Sequence, residues 1–418
     1  MATPPSQPVL GIIGEGQLAR MLVEAAERRG ISTCVWSSLP HSPVSHLGAA
    51  HCEITASLDS LLTKATVVAF ENEFQDTAML RAAAQKVGRD PEQLFIPKLS
   101  AIQLLQDKLE QKNICTRLGL PTSRFSAAPS AFNTSDEAFA WATAASRQFP
   151  RGFVFKWSRL GYDGKGVLVL KEDENIDRAD VRQIAFFEAA ISTKALVYVE
   201  EYVPFTSECA LVSAHQPGPG DPVARYFPLV LTEQTQGICT RARGPMKAGL
   251  SSILEASARK AADALAKDLG LQGVFAIEFF VVPGSNKLWI NEIAPRVHNS
   301  GHLTQDAFDS SQFDFHVLAA LGRLHESTAP KTRTPHYGML NILGPAAMQN
   351  SLPITDAIPS ISDSVGRLHW YGKSEVKAGR KLGHINLTAG SIPELDDKFR
   401  EAEAFVRNLH SQIGRAHV

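Results

Sequence analysis

The N-terminal part of the chain alternates apolar runs with glycine-rich polar turns. Residues 9–13 are an apolar run that predicts a strand, and Gly14-Glu15-Gly16-Gln17-Leu18-Ala19-Arg20 follows it. Met21, Leu22, Ala25 and Ala26 then recur at helical spacing up to Gly30, and residues 33–36 predict the next strand. A β-turn-α-β unit of this kind presents free N–H groups and a positive dipole end to an anion. Gly14-x-Gly16-x-x-Ala19 formally fits the dinucleotide fingerprint, but Ser37-Ser38 stand where that fingerprint needs an acid for the ribose. The turn therefore predicts a phosphate site or a tight packing turn rather than an NAD site. Residues 66–70 predict a further buried strand with Glu71-Asn72-Glu73 just past it. Ligands bind at that edge of open α/β sheets, so Glu73 reads either as a contact or as a solvated strand end. Helices are expected over 78–87 and 100–118, and Lys108, on a mixed face of the second, reads as a surface lysine.

Gly119-Leu120-Pro121-Thr122 opens a new segment, with loop over 126–135, a helix over 136–146, and strands over 153–156 and 167–170. Between those strands runs Trp157-Ser158-Arg159-Leu160-Gly161-Tyr162-Asp163-Gly164-Lys165-Gly166. Its glycines and cations form either a long hairpin tip or a flap of N–H groups and positive charge over a polyphosphate. Lys156 ends an otherwise apolar strand, where a lysine is costly unless it meets an anion. Residues 195–203 form a strand that turns polar at Glu200-Glu201-Tyr202-Val203, and Glu208 opens another. Residues 225–231 and 237–243 flank Thr232-Glu233-Gln234-Thr235-Gln236, and a helix over 252–269 ends at Gly270 as C-cap. Further on, 312–321 reads as helix, 338–344 as strand, 369–373 and 380–387 as the last β region, and 394–409 as the final helix.

Residues 274–282 and 287–293 are apolar runs joined by Pro283-Gly284-Ser285-Asn286, which predicts a β-hairpin. A loop over 284–286 pairs Pro283 with Lys287 and sets Glu278 directly opposite Glu292. Like charges facing across strands repel, so this pair needs a shared proton or a divalent cation, Mg²⁺ being the usual one beside phosphates. A register slipped by one residue would instead leave one glutamate solvated. The run Asn291-Glu292-Ile293-Ala294-Pro295-Arg296-Val297-His298-Asn299-Ser300-Gly301-His302 is neither periodic nor apolar, and reads as a donor-rich loop outside the core.

The totals narrow the functional classes. At roughly 150 residues per domain, a chain of 418 residues predicts two or three domains. A net charge of -1 argues against nucleic acid or an anionic membrane as the main partner. Five scattered cysteines without a C-x-x-C spacing argue for a reducing compartment and against a disulfide framework or zinc site. No apolar run is long enough to span a bilayer, and the first eight residues lack the charged region of a signal peptide, so the cytoplasm is the expected compartment.

Taken together, Asn291 to His302, Ser311-Gln312-Phe313, Gly161 to Gly166 and Gly379-Arg380-Lys381-Leu382-Gly383-His384 resemble the ATP-grasp superfamily. Within it they resemble the N5-carboxyaminoimidazole ribonucleotide synthetase family, biotin-independent carboxylases of purine biosynthesis, over residues 9–390. The resemblance implies an α/β fold, α+β in its C-terminal part, in three domains: a Rossmann-like domain (1–106), a linker helix and mobile lid (107–200), and a C-terminal ATP-grasp domain (201–418). It implies that Lys108 and Lys156 hold ATP phosphates and that Gly161, Tyr162, Asp163, Gly164, Lys165, Gly166 and Val167 close over them. Glu200, Glu201, Tyr202 and Val203 would meet adenine, Glu208 the ribose, and Gln234 would stand where a histidine usually contacts ATP. Glu278 and Glu292 would hold Mg²⁺ with help from Asn291. The ribonucleotide would lie on the side of the Gly-rich turn at Gln17 and Leu18. Its other implied contacts are Glu73, Tyr162, Asp163, Arg296, His298, Asn299, Ser300, Lys373, Arg380 and Lys381.

The implied reaction joins ATP, bicarbonate and aminoimidazole ribonucleotide without biotin. Bicarbonate attacks the γ-phosphate to give carboxyphosphate, with charge neutralised by metal, Lys156 and Arg296. The exocyclic amine then captures the carboxyl group, with Asp163 orienting or deprotonating it, while a lid excludes water. The implied partners are small molecules and a second copy in a homodimer, with neither nucleic acid nor membrane. Glu15, Ala19, Leu160 and Gln234 depart from the family pattern. A formate-using carboxylate–amine ligase and a nucleotide-binding protein without turnover are the alternatives. Fungal members can carry a fused C-terminal carboxylase domain, and this chain ends at Val418, too soon for one.

Overall fold

The computed structural model describes residues 7–37, 42–161, 166–218, 222–246, 251–284, 287–348, 350–354 and 360–415. Its first unit is a five-stranded parallel sheet ordered Cys52–Thr55, Ser32–Trp36, Val9–Ile13, Val67–Phe70 and Phe95–Ile96. Side chains alternate across this sheet, so Leu10 and Ile12 enter one core cluster while Ile13 enters another on the opposite face. Helix Gln17–Arg28 covers the first of these with Leu18, Met21, Leu22 and Ala25.

The single helix expected over 100–118 is instead two, Leu99–Leu105 and Lys108–Arg117. Asp107 makes the break: its carboxylate accepts from the N–H groups of Leu109 (3.0 Å) and Glu110 (3.3 Å), capping the second helix. Lys108 therefore starts a helix rather than riding on the middle of one.

The second unit is an antiparallel sheet of four strands, Phe125–Ala127, Val197–Glu201, Gly152–Trp157 and Val167–Lys171. Helices Ser135–Ser146 and Val181–Ser192 pack on it through Phe139, Phe155, Phe186 and Phe187. The second of these helices is one that the hydrophobic pattern alone left unassigned. Leu168 and Leu170 point into this core, and Val167 and Val169 point away from it.

The largest unit is a nine-stranded antiparallel sheet, with Lys287–Ala294 at one edge and Arg367–Trp370 at the other. Helix Ser251–Leu269 packs against it through Leu254, Ala258 and Leu265. The final helix runs Ile392–Arg415, beyond the expected 394–409. The α/β class with a β-rich C-terminal part is as the sequence implies. Among the described residues no helix is long and apolar enough to cross a membrane, and all five cysteines are free.

Candidate active site

A cavity of about 630 Å³ opens between the four-stranded sheet and the nine-stranded one, and charged residues from stretches between Glu73 and Lys381 converge on it. Its acidic wall is the predicted hairpin. Strand Gly273–Val282 pairs with Lys287–Ala294 so that Glu278 faces Glu292. The expected register holds there and at Ile277 and Ala276, but the turn end differs: Val282, not Pro283, pairs with Lys287. A β-bulge between Glu278 and Phe279 absorbs the extra residue, Asn291. Bulges re-aim side chains beside active sites, and here Asn291 and Glu292 both line the cavity.

The electrostatics are those of a site built for both signs of charge. Burial and the neighbouring carboxylates of Glu292 and Glu208 push Glu278 up, towards neutrality. Burial also works against ionised Glu292, but the Lys108 ammonium overcomes it and holds that carboxyl low. Lys108 forms an ion pair with Glu292, so it is not the surface lysine its helix face suggested. Among the described residues no group of three or more His, Cys, Asp or Glu side chains is placed to hold a metal unaided. Two facing carboxylates fit Mg²⁺ in its common mode, in which phosphate oxygens and water complete the shell.

Lys156 lies on the cavity side of its strand and donates to Asn291 Oδ1 at 3.2 Å. It also pairs with Glu200, which is 3% exposed. The anion that makes a lysine tolerable at the end of this strand is thus, in the protein itself, Glu200. The Glu201 carboxylate turns to Arg124, accepting from its backbone N–H (2.8 Å) and Nε (3.0 Å). Glu208 also lines the cavity, and burial raises its carboxyl above the usual range.

The segment after the hairpin is not outside the core, as its polarity suggested. Ser300 and His302 are 1% exposed, and residues Asn299–Gly301 form a turn of 3-10 helix. Gln312 makes burial of this polar chain possible: it accepts from the His298 N–H (2.8 Å) and donates to the His298 carbonyl (2.7 Å). Burial and Arg296 push His298 down to about 3, so the imidazole is neutral. Ser300 Oγ lies 2.9 Å from His298 Nδ1, leaving Nε2 towards Glu278 at 3.4 Å. Asn299 lines the cavity, and both ends of its buried amide are without a partner among the described residues. Arg296 is held by a two-point ion pair with Glu73, at 2.5 and 3.2 Å, which ties this loop to the first sheet.

The Gly-rich turn is filled from within. Glu71 accepts from the N–H groups of Gly16 (2.7 Å) and Leu18 (3.2 Å) at the start of helix Gln17–Arg28. A Cβ on Gly14 or Gly16 would meet that side chain at 2.4 or 2.1 Å, so the glycines make room for a carboxylate. Glu15, awkward beside a phosphate, turns to Ser37. Gln17, Leu18, Lys373 and Arg380 do not line the cavity, whereas Lys381 does. Burial, with Arg380 beside it, pushes Lys373 down to about 8, and Glu71 is its counter-charge.

Of the other expected residues, Gly161, Val167, Tyr202, Val203, Gln234, Asn291 and Arg296 line the cavity. Tyr162, Asp163, Gly164 and Lys165 lie outside the described residues. The apolar wall was not anticipated: Val154, Val169, Phe205 and Phe280, the two rings stacked at 4.6 Å. Strand period could have found most of it, since Val154 shares a face with Lys156 and Phe280 with Glu278.

A flat apolar slot beside paired lysines and facing carboxylates, set between two antiparallel sheets, defines the ATP-grasp class. The ATP-grasp domain family matches residues 113–313 of this chain, the ribonucleotide synthetase preATP-grasp domain residues 8–106, and the phosphoribosylaminoimidazole carboxylase C-terminal domain residues 338–398. The N5-carboxyaminoimidazole ribonucleotide synthase of Synechococcus elongatus is 35% identical over 393 residues, 93% of this chain and 91% of that protein. The crystal structure of N5-carboxyaminoimidazole synthetase from Staphylococcus aureus complexed with ADP is similar at a TM-score of 0.75 and 26% identity, covering 96% of this chain and 97% of that one. The Aspergillus clavatus carboxyaminoimidazole ribonucleotide synthase complexed with ATP gives 0.73 and 26%, covering 96% and 99%. The chain belongs to the N5-carboxyaminoimidazole ribonucleotide synthase family.

Proposed function

We propose that this cavity carries out the ATP-dependent carboxylation of aminoimidazole ribonucleotide in purine biosynthesis, with release of ADP. The protein is an ATP-grasp ligase, and the observation that carries the reading is the convergence of Glu278, Glu292, Lys108 and Lys156 on one cavity. Glu278 and Glu292 would hold Mg²⁺, which supplies charge neutralisation at the phosphate oxygens when bound. Lys108 and Lys156 then exchange a carboxylate partner for a phosphate oxygen as the nucleotide enters. Val154, Val169, Phe205 and Phe280 take the adenine face, and Glu208, on the same cavity, takes the ribose.

Arg296 orients bicarbonate for attack on the γ-phosphate, its guanidinium already fixed in plane by Glu73. Attack forms the carboxyl-oxygen-to-phosphorus bond and releases ADP. The amine then attacks the carbonyl carbon of carboxyphosphate, breaking its bond to the phosphate oxygen. The amide of Asn299 and neutral His298 face the reacting group, and the proton lost by the amine passes to Asp163 on this reading. Lys373, Arg380 and Lys381 receive the ribonucleotide phosphate, and Tyr162 joins the lid over it. The active assembly is a cytoplasmic homodimer.

Phosphate release from ATP tests the reading: aminoimidazole ribonucleotide with bicarbonate should stimulate it strongly, and glycinamide ribonucleotide with formate should not. The reverse preference would assign the chain to formate chemistry.

A further inference from the structure

Lys112 lies between the two family matches, which end at residue 106 and resume at 113, and it does not line the cavity. It is 2% exposed, on helix Lys108–Arg117. Its ammonium has three N–H groups and meets three close acceptors: Thr122 Oγ1 (2.8 Å), Ser123 Oγ (2.8 Å) and Glu200 Oε2 (2.7 Å). Ser123 in turn donates to the same Glu200 oxygen at 2.6 Å. The other oxygen of Glu200 pairs with Lys156. One buried carboxylate is therefore shared between a lysine that faces the cavity and one that does not.

The charge count gives this arrangement a purpose. Glu200 alone would cancel Lys156, leaving nothing for a phosphate. With Lys112 on the other oxygen, the three groups together keep one positive charge, and Lys156 is the cation among them that lines the cavity. Burial opposes the ionised form of Glu200, but the two lysines overcome it and hold the carboxyl below the usual range. Lys112 also stands beside the metal-site strand, since Thr122 Oγ1 donates to the Ile290 carbonyl at 2.8 Å. The neighbouring Gln111 bonds both the N–H and the carbonyl of Ile293. The same helix thus fixes Glu200 of the four-stranded sheet and the strand bearing Glu292.

We propose that Lys112 is a positioning residue for ATP use: by neutralising Glu200 it keeps the charge of Lys156 available to the nucleotide phosphates. The inference rests on the ATP reading of this cavity. It predicts that Lys112→Met raises KM for ATP by on the order of tenfold or more, because Glu200 then spends its charge on Lys156 alone. Adding Glu200→Gln to that variant restores the charge count and should recover most of the loss. Ser123→Ala, which removes a bond to the same carboxylate without changing charge, should move KM by less than about threefold.

The experiment is steady-state ATP kinetics on these variants with aminoimidazole ribonucleotide and bicarbonate saturating, each checked for folding by thermal melting. A merely structural role predicts that the double variant is as impaired as Lys112→Met or worse, and that result overturns the proposal, as does an unchanged KM in the single variant. If Lys112→Met does not fold, Lys112→Gln, which removes the charge but keeps a hydrogen-bonding side chain, carries the test alone. A KM for ATP raised on the order of tenfold then supports the proposal, and an unchanged KM overturns it. Wild-type protein without substrate-stimulated ATP turnover would instead remove the ATP reading beneath it.

Discussion

Two regions of this chain have the chemistry of an anion site, and they are completed in opposite ways. At the Gly-rich turn the anion is built in: Glu71 takes the N–H groups of Gly16 and Leu18, and the glycines clear space for it. At the hairpin cavity the built-in partners are provisional. Lys108 and Lys156 sit on carboxylates, Glu292 and Glu200, that other cations also approach. The difference separates a turn finished as structure from a cavity able to trade its internal ion pairs for a ligand. It also gives the dinucleotide-like glycine pattern a structural use, as room for the Glu71 carboxylate.

The sharpest way to break that comparison is Glu292→Gln. ATPase activity should fall by about a hundredfold to a thousandfold, with thermal stability close to the parent. Full activity would remove the metal-site assignment. Glu71→Ala tests the other half. It should lower stability by about 1–3 kcal/mol, read by thermal or denaturant unfolding, because the turn N–H groups lose their acceptor. KM for ATP should barely move, and a large change there would mean that the turn belongs to the nucleotide site.

A smaller effect sharpens the boundary between the two regions. Lys373 has Glu71 as its counter-charge and a pKa pushed down to about 8 by burial. The cation exists below that value and is lost above it, so affinity for the ribonucleotide should fall as pH rises through about 8. Lys373→Met should flatten that profile. A wild-type profile that is flat from about pH 7 to about pH 9 would show that Lys373 does not meet the phosphate. Smallest of all is Leu160, which holds a left-handed φ of +60°, a conformation that favours glycine. Leu160→Gly relieves about 1–2 kcal/mol of backbone strain but adds chain entropy of similar size. The melting midpoint should therefore shift by only a few degrees.

How much of this was legible in the sequence depended on range. The hairpin carboxylates could be found because strand period and turn chemistry are local, and the pair falls opposite even though the turn end is shifted by one residue. The compensating bulge at Asn291 was invisible, since nothing in composition marks where a strand gains a residue. Glu71 and Glu73 stand two apart, yet one closes the Gly-rich turn and the other holds Arg296. Local pattern carries no information about which partner the fold brings to each. The polar tail was misread as lying outside the core for the same reason: Gln312 satisfies it from a helix that the sequence does not connect with it. Lys112 gave no signal, because a lysine in a polar helix looks solvated until Glu200 arrives from another sheet.

In the proposed reaction ATP activates bicarbonate in the cavity between the sheets. Turnover in bicarbonate labelled with heavy oxygen tests it most directly. If a bicarbonate oxygen attacks the γ-phosphate, the phosphate released with aminoimidazole ribonucleotide present carries one labelled oxygen. Unlabelled phosphate, formed at the same rate as the carboxylated product, would rule out attack by bicarbonate on the γ-phosphate.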